Sequence, residues 1–253
     1  MSPKPDVSFI VLCFNDGPAL PALLADLKRV LEGAAARYEI LVVDDASTDD
    51  SLEILELLRR EIPQVRVLSH LHNQGVGAGF RTGARAAQFD VVGYTDGDGQ
   101  YVPDDIPALL AALEAKDAVS GIRVARADGP HRRVVTAVYR KFLAFLYGLE
   151  LRDVNSGLKV YRRHFLQAAE PLSADGPFFD AEVMIKGLYA GFSVAELPIQ
   201  HRPRAHGVSR GVQPSSVGRA VAGALTPQMA RYRRKAFTVR LGVRIARLLR
   251  APL

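Results

Sequence analysis

The sequence predicts an α/β fold, with one mixed, mostly parallel sheet covered by helices on both faces. Three observations predict it. From Val7 to Thr95, short apolar runs alternate with longer stretches whose apolar residues recur at helical spacing. Some of those runs, Val7 to Phe14 above all, are apolar almost throughout, as strands buried on both faces are. Polar residues then collect just after successive runs, where open α/β sheets bind their ligands.

Val7 to Phe14 is the first strand and holds the single cysteine, Cys13. An internal disulfide is therefore excluded, and Cys13 reads as a small buried hydrophobe in a reducing compartment. Pro18 to Arg37 follows as a helix, because Leu20, Leu23, Leu24, Leu27 and Leu31 share one face and prolines stand near its start. Tyr38 to Val43 is the second strand. Ser47-Thr48 offers an N-cap, and Asp49-Asp50 suit the first turn of a helix running to Glu61. Val65 to Ser69 is a third strand, Gly77 to Gln88 a third helix and Val91 to Thr95 a fourth strand. The second half is less regular. Arg132 to Leu151 reads as a largely apolar helix broken at Arg140-Lys141, Leu158 to Tyr161 as a strand and Phe179 to Ala190 as a helix. Val194 to Ile199 reads as another strand, leading into the basic loop His201-Arg202-Pro203-Arg204-Ala205-His206-Gly207.

A chain of 253 residues with 48% hydrophobic composition supports one full core with an appendage. Its formal charge of +6 conceals an asymmetry. Glu196 is the last acid, and the segment from Leu197 onward carries 12 Lys and Arg, leaving −6 on residues 1–196. A basic segment of this kind suits an anionic surface. The N-terminus carries no signal-peptide pattern, and no uninterrupted apolar run reaches the roughly 18 residues that span a bilayer. Both point to the cytoplasm.

The chemistry concentrates at the strand ends. Asp96-Gly97-Asp98-Gly99-Gln100 places two carboxylates one residue apart behind a strand. Two hard oxygen donors suit Mg²⁺ or Mn²⁺ that also ligates phosphates; a solvated Asp-Gly turn is the alternative for the pentapeptide alone. Its company favours the metal. Asn15-Asp16 follows the first strand, Asp44-Asp45 ends the second and His72-Asn73 follows the third, so four strand ends converge on one edge. Asp45 reads either as an acceptor for a nucleotide base or as a turn residue. The run from Asn73 to Arg81 is not a dinucleotide fingerprint, since Phe80 stands where the last glycine belongs and the run follows the third strand. Its readings are phosphate binding at a helix N-terminus or close helix packing. His201 and His206 lack cysteine partners for zinc and read as surface or phosphate contacts.

Together these residues resemble glycosyltransferase family 2, in its polyprenyl-phosphate (dolichyl-phosphate) hexose synthase branch. The resemblance covers about residues 6 to 212. Phe9 to Asp16 is similar to the opening strand and turn, with Asp16 where Glu is usual. Val42 to Asp49 is similar to the nucleotide-binding signature, Asn73-x-Gly75-x-Gly77 with Gly83 to the third motif, and Asp96-x-Asp98 with Gln100 to the metal motif. Asp153 to Arg163, Phe179-Asp180-Ala181-Glu182 and Glu196-Leu197-Pro198-Ile199, followed by Arg202, Arg204, Gly207 and Ser209, resemble the branch's later segments. The Gly-Leu-Lys and Phe-Asp-x-Glu details look more like glucose-type than mannose-type members.

The resemblance implies a GT-A (Rossmann-like) catalytic domain over 1–212, with basic amphipathic helices over 213–253, and inverting, metal-dependent transfer of a hexose. The donor is a UDP- or GDP-type sugar and the acceptor a polyprenyl phosphate. The nucleotide-sugar site would comprise Phe14, Asn15, Asp16, Asp44, Asp45, Asn73, Gly75, Gly77, Arg81, Asp96 and Gly97. Mg²⁺ or Mn²⁺ would sit on Asp96, Asp98 and Gln100, and the acceptor phosphate on Arg123, Arg202, Arg204 and Ser209. Asp98, Arg123 and Asp180 would be catalytic. A phosphate nucleophile is already anionic, so it needs orientation and charge relief rather than a base.

A lipid acceptor accounts for the basic segment too. Arg240, Arg244, Arg247 and Arg250 fall on one helical stripe beside Leu241, Ile245, Leu248 and Leu249, as in a helix lying on an anionic membrane; a solvated face of a packed helix is the other reading. Val134 to Leu149 is either a second lipid contact or core. Peripheral attachment to the cytoplasmic membrane face, a membrane partner or a homo-oligomer would bring the chain to its acceptor. The rival functions are a hydroxyl acceptor with Asp180 as general base and a nucleic-acid-binding protein using the basic segment. The latter leaves the strand-end motifs unexplained, so no nucleic-acid partner is expected. Processive polysaccharide synthases are excluded because their Gln-x-x-Arg-Trp signature needs a tryptophan and the chain has none.

Overall fold

The structure, a computed structural model, describes residues 3–124, 130–204 and 214–249; of 130–133, 214 and 240–249 it describes the backbone alone. β1 (Val7–Cys13), β2 (Tyr38–Asp44), β3 (Val65–Ser69) and β4 (Val91–Asp96) pair in parallel in the order β3-β2-β1-β4. The crossovers are α1 (Leu20–Ala34), α2 (Ser51–Glu61) and α3 (Val76–Ala86). The chain runs outward from β1 through β2 and β3, then returns to β1's other side as β4. That reversal opens a crevice at the carboxyl ends of β1 and β4. Register keeps these ends level: Asp44 lies beside Cys13, and Asp96 beside Leu12.

α4 (Ile106–Leu113) leads to β5 (Ala118–Arg123), then α5 (Pro130–Tyr147), β6 (Leu158–Arg162), α6 (Arg163–Ala169), α7 (Phe179–Tyr189) and β7 (Val194–Ile199). β6 enters between β4 and β5 and is antiparallel to both, while β7 pairs in parallel with β5 and completes seven strands. The sheet is therefore mixed and mostly parallel, as the sequence predicts. Alternation along β1 shows how both faces are filled. Val7, Phe9, Val11 and Cys13 join α1, α2 and α4 in one core, whereas Ile10 and Leu12 join α3, α5, α6 and α7 in the other.

Two expectations need correction. α2 begins at Ser51 and makes no side-chain cap bond, because Ser47 and Thr48 spend their polar groups on the turn after β1. α5 runs unbroken through Arg140-Lys141, whose exposed side chains sit on the solvent side and whose helix propensity is good. α8 (Pro214–Leu225) and α9 (Ala230–Leu249), with the turn between them, bury Ala224, Met229 and Tyr232 with Tyr147 and Phe178. Arg233 of α9 donates to the Ala224 carbonyl at 2.6 Å. α4, β5 and α6 were not anticipated in the sequence; β5 mixes Ser120 and Gly121 into a run too short to show a period.

Candidate active site

A cavity of about 710 Å³ opens at the carboxyl ends of β1, β2 and β4, the topological switch point. Its floor is built by three turns that brace one another. Asn15 adopts φ 58°, a left-handed conformation that asparagine tolerates. Its backbone N–H donates to Ser47 Oγ at 2.9 Å, and its Oδ1 accepts from Thr48 N–H at 2.7 Å. The turns after β1 and β2 are thereby locked together, with Phe14, Asn15 and Asp16 on the cavity wall. Asp45 also lines the wall, but its carboxylate oxygens are engaged: it accepts from Gln74 N–H at 2.8 Å, Gly75 N–H at 2.7 Å and pairs with His70 Nδ1 at 2.7 Å. Asp45 thus shapes the loop before α3, and Asn73 and Gly75 reach the cavity from that loop.

The remaining nucleotide-site expectations lie behind the wall. Asp44 is buried and accepts from Ser47 N–H at 3.3 Å. Arg81 donates to the Ala174 carbonyl at 2.9 Å and is ion-paired with Asp175. Gly77 is needed for packing, since a Cβ there would stand 2.0 Å from the Ala174 carbonyl oxygen. Gly97 donates its N–H to the Leu12 carbonyl at 2.8 Å and draws the acidic loop against β1.

Asp96 and Asp98 both face the cavity. Among the described residues Asp96's carboxylate has no hydrogen-bond or ion-pair partner. Burial, then the charges of Asp98 and Asp180, push its pKa up to about 8, against an opposing pull from Lys159. Gly157 of the loop before β6 makes room for it: a Cβ there would lie 2.2 Å from Asp96 Oδ2. A half-buried carboxylate with no partner among the described residues, beside a second one, suits a hard divalent cation. Among the described residues no group of three or more His, Cys, Asp or Glu is arranged as a metal site of its own; Mg²⁺ sites commonly use one or two carboxylates together with substrate phosphates. Gln100 lines the same wall, though its Nε2 donates to the Arg202 carbonyl at 3.0 Å.

The basic loop after β7 is fastened to this acidic loop. Tyr101 bridges His201, and Arg202 N–H donates to the Gln100 carbonyl at 2.8 Å. Arg204 consequently meets Asp98 Oδ2 at 2.6 Å and Asp16 Oδ1 at 3.6 Å. The Arg202 side chain is exposed and off the cavity wall, and Ser209 lies outside the described residues. Arg123 ends β5 and forks onto Asp153 through Nε and Nη2, each at 2.8 Å. It lines the same cavity.

Asp180, on the first turn of α7, lines the cavity with its Oδ1 held by Lys159 Nζ at 2.5 Å and by the Tyr94 hydroxyl. Lys159 is completely buried. Burial raises the Asp180 pKa and Lys159 lowers it, with the net direction upward. A carboxylate pinned by an ammonium and a phenol suits positioning better than proton abstraction. Glu182 faces away and accepts from Ser173 and Ala174, holding the loop against which Gly75 and Gly77 pack. Gly157 and Lys159 fall within the Asp153 to Arg163 segment without a role readable from sequence, and Tyr101, Thr136, Ser216 and Arg219 on the wall are absent from the residues expected there. The last three come from α5 and α8, which carry no motif.

Comparison with known proteins agrees with this architecture. Residues 8–168 match the family model for glycosyl transferase family 2. The undecaprenyl-phosphate 4-deoxy-4-formamido-L-arabinose transferase of Shewanella sediminis is 29% identical over 209 residues, covering 81% of this chain and 61% of that protein. The dodecaprenyl-phosphate galacturonate synthase of Rhizobium johnstonii is 27% identical with the same coverage. The undecaprenyl-phosphate mannosyltransferase of Micrococcus luteus is 29% identical over 225 residues, covering 84% of this chain and 89% of that protein. The chain thus spans about three fifths of the length of the first two relatives. Mycobacterium tuberculosis glucosyl-3-phosphoglycerate synthase, solved with Mn²⁺, UDP and phosphoglyceric acid, superposes with a TM-score of 0.69 at 19% identity, over 87% of this chain and 78% of its own. That likeness is one of fold, the GT-A arrangement. With a family model matched across its central sheet and the switch-point cavity in place, this chain belongs to glycosyl transferase family 2.

Proposed function

We propose that the protein transfers a glycosyl group from a nucleotide-diphosphate sugar to a polyprenyl phosphate, with Mg²⁺ or Mn²⁺ at Asp96 and Asp98. One observation carries the reading: the unpartnered carboxylate of Asp96 and the guanidinium groups of Arg204 and Arg123 face one cavity at the switch point. When bound there, the metal would neutralise charge developing on the leaving pyrophosphate. Phe14, Asn15 and Gly75 shape the donor side of the cavity. Arg123, braced by Asp153, and Arg204 supply the positive charge that lets an anionic acceptor approach an anionic donor. Asp180 orients the floor through Lys159 and Tyr94. The three curated relatives named above act on polyprenyl-type phosphates, which supports the choice of acceptor.

We infer that the protein works at the cytoplasmic face of a membrane, a reading that the proposed lipid acceptor supports. No described helix is long and apolar enough to cross one, so the attachment we infer is peripheral, through basic helical surface. The arginine stripe at 240–250 proposed from sequence lies among residues whose side chains are not described. The experiment is a panel of UDP- and GDP-sugars incubated with polyprenyl phosphate and Mg²⁺ or Mn²⁺. A metal-dependent lipid-linked sugar from at least one donor supports the reading; transfer only to hydroxyl acceptors contradicts it.

A further inference from the structure

His70, in the loop after β3, is a buried titratable side chain with no part in the site as described so far. It does not line the catalytic cavity, and its side chain is only 8% exposed. Its backbone N–H donates to the Asp44 carbonyl at 2.9 Å, which fixes the residue beside the end of β2. Both ring nitrogens are engaged: Nδ1 meets Asp45 Oδ1 at 2.7 Å, and Nε2 meets Thr82 Oγ1, on α3, at 2.9 Å. A carboxylate that takes N–H bonds from Gln74 and Gly75 is an acceptor, so Nδ1 is the ring nitrogen that carries hydrogen toward it. One imidazole thus joins the end of β2, the loop after β3 and α3.

What the ring holds in place is part of the cavity wall. Asp45 receives the consecutive N–H groups of Gln74 and Gly75 at 2.8 and 2.7 Å, and Asn73 Nδ2 donates to the Asp45 carbonyl at 3.2 Å. Gly75 keeps φ at 94°, a conformation suited to glycine, and a Cβ there would stand 2.5 Å from the Asp175 carbonyl oxygen. The loop is therefore confined by Asp45 and by Asp175, and Asn73, Gln74, Gly75 and Val76 all line the cavity. His70 is the one side-chain donor that the Asp45 carboxylate has among the described residues. Without it, the Asp45 rotamer is set only by the two amides that Asp45 itself positions.

From this relay we propose that His70 is a positioning residue for the nucleotide: through Asp45 it holds the Gln74–Gly75 backbone in the shape that receives a nucleoside diphosphate. The inference deepens the proposed function and rests on its nucleotide-sugar donor. A relay that shapes the wall before and throughout the reaction acts on bound substrate and transition state alike. Its loss should therefore appear in nucleotide affinity and in KM for the donor, and not in kcat at saturation.

The test is titration calorimetry of UDP and of GDP, each with Mn²⁺, on the full chain, joined by KM and kcat for sugar transfer. His70→Leu should bind the parent's nucleotide at least about ten-fold more weakly, the factor that a hydrogen bond to a charged group is worth, with kcat near the parent's. His70→Asn should recover most of that affinity, because its amide nitrogen stands where Nδ1 stood and carries hydrogen. Val30→Ala, in the buried face of α1, loses stability away from this loop and should bind as the parent does. The double variant His70→Leu/Asp45→Asn should bind no more weakly than Asp45→Asn by itself, since both break one relay. Parent-like affinity in His70→Leu overturns the proposal, as does an equal loss in Val30→Ala or an additive loss in the double variant. A defect confined to kcat overturns it too. Each of those results leaves the proposed function standing, and because the readout is binding, an acceptor other than polyprenyl phosphate leaves the test intact. A parent that binds neither nucleotide refutes the nucleotide-sugar donor and this inference with it.

Discussion

At the residue scale the site depends on one small side chain and one substituted charge. Asp96 can sit unpartnered only because Gly157 has no Cβ, and alanine there would press on Asp96 Oδ2 from 2.2 Å. Gly157→Ala should lower Mn²⁺ affinity about ten-fold, a loss of roughly 1.4 kcal/mol, while circular dichroism remains native. Calorimetry in the presence of UDP reads this directly; unchanged affinity would remove Asp96 from the metal site. Arg204 supplies the other effect. It holds Asp98 at 2.6 Å, so the cation that the acidic loop meets without metal is a guanidinium. Arg204→Ala should therefore bind Mn²⁺ alone several-fold more tightly than the parent, by manganese electron paramagnetic resonance, even as transfer falls. Asp96 and Asp98 were legible in the sequence because they stand at a strand end with one residue between them. Arg204's grip on Asp98 was not, because the two are 106 residues apart and only β7's placement joins them.

At the element scale, β6 is the insertion that turns a parallel sheet into a mixed one, and it carries Lys159 under the cavity floor. Lys159 is wholly buried and paired with Asp180, which is itself buried. Removing one member of such a pair strands the other charge, so Lys159→Met should cost about 3–5 kcal/mol in urea unfolding. The double variant Lys159→Met/Asp180→Leu should recover much of that loss; a Lys159→Met variant of native stability would contradict the pairing. The same network means that Asp180→Asn must be read with a stability measurement beside the activity. Asp117 ties β5 to β7 through bonds from Ser193 N–H and Oγ, each at 2.8 Å, and pairs with His164 at 2.9 Å. Those hydrogen bonds, led by the one from Ser193 N–H, hold its pKa down at about 2 against an ordinary 3.8. A depressed carboxylate contributes stability above its ordinary value and loses it as pH falls through its folded value. The stability gap between parent and Asp117→Asn should thus be full above about pH 4 and vanish near pH 2, followed by urea midpoints. Strands and helices with strong periodicity, from β1 to β4, were readable from sequence alone. β5 and α4 were not, since short elements show too little period, and Ser47-Thr48 misled because their hydroxyl and amide groups serve Asn15 rather than a helix end.

For the whole molecule, the basic segment read from sequence is in part packed into the core. α8 and α9 close one side of the core and bring Ser216 and Arg219 to the cavity wall, so the basic segment belongs partly to the site. Composition could reveal that this segment is basic; it could not reveal that Ala224, Met229 and Tyr232 are packed against α5 and α7. What the fold contributes is convergence, with acids from β1 and β4 and arginines from β5 and the loop after β7 meeting at one switch point. The measurement that bears most directly on this convergence is transfer of labelled sugar from its nucleotide donor to polyprenyl phosphate, comparing the parent with Asp98→Asn and with chelated metal. The account predicts a metal-dependent lipid-linked product and a loss of two or more orders of magnitude in kcat/KM for Asp98→Asn, about 2.7 kcal/mol or more in transition-state stabilisation, with the fold intact. Near-full transfer by Asp98→Asn, or full transfer without metal, would contradict it.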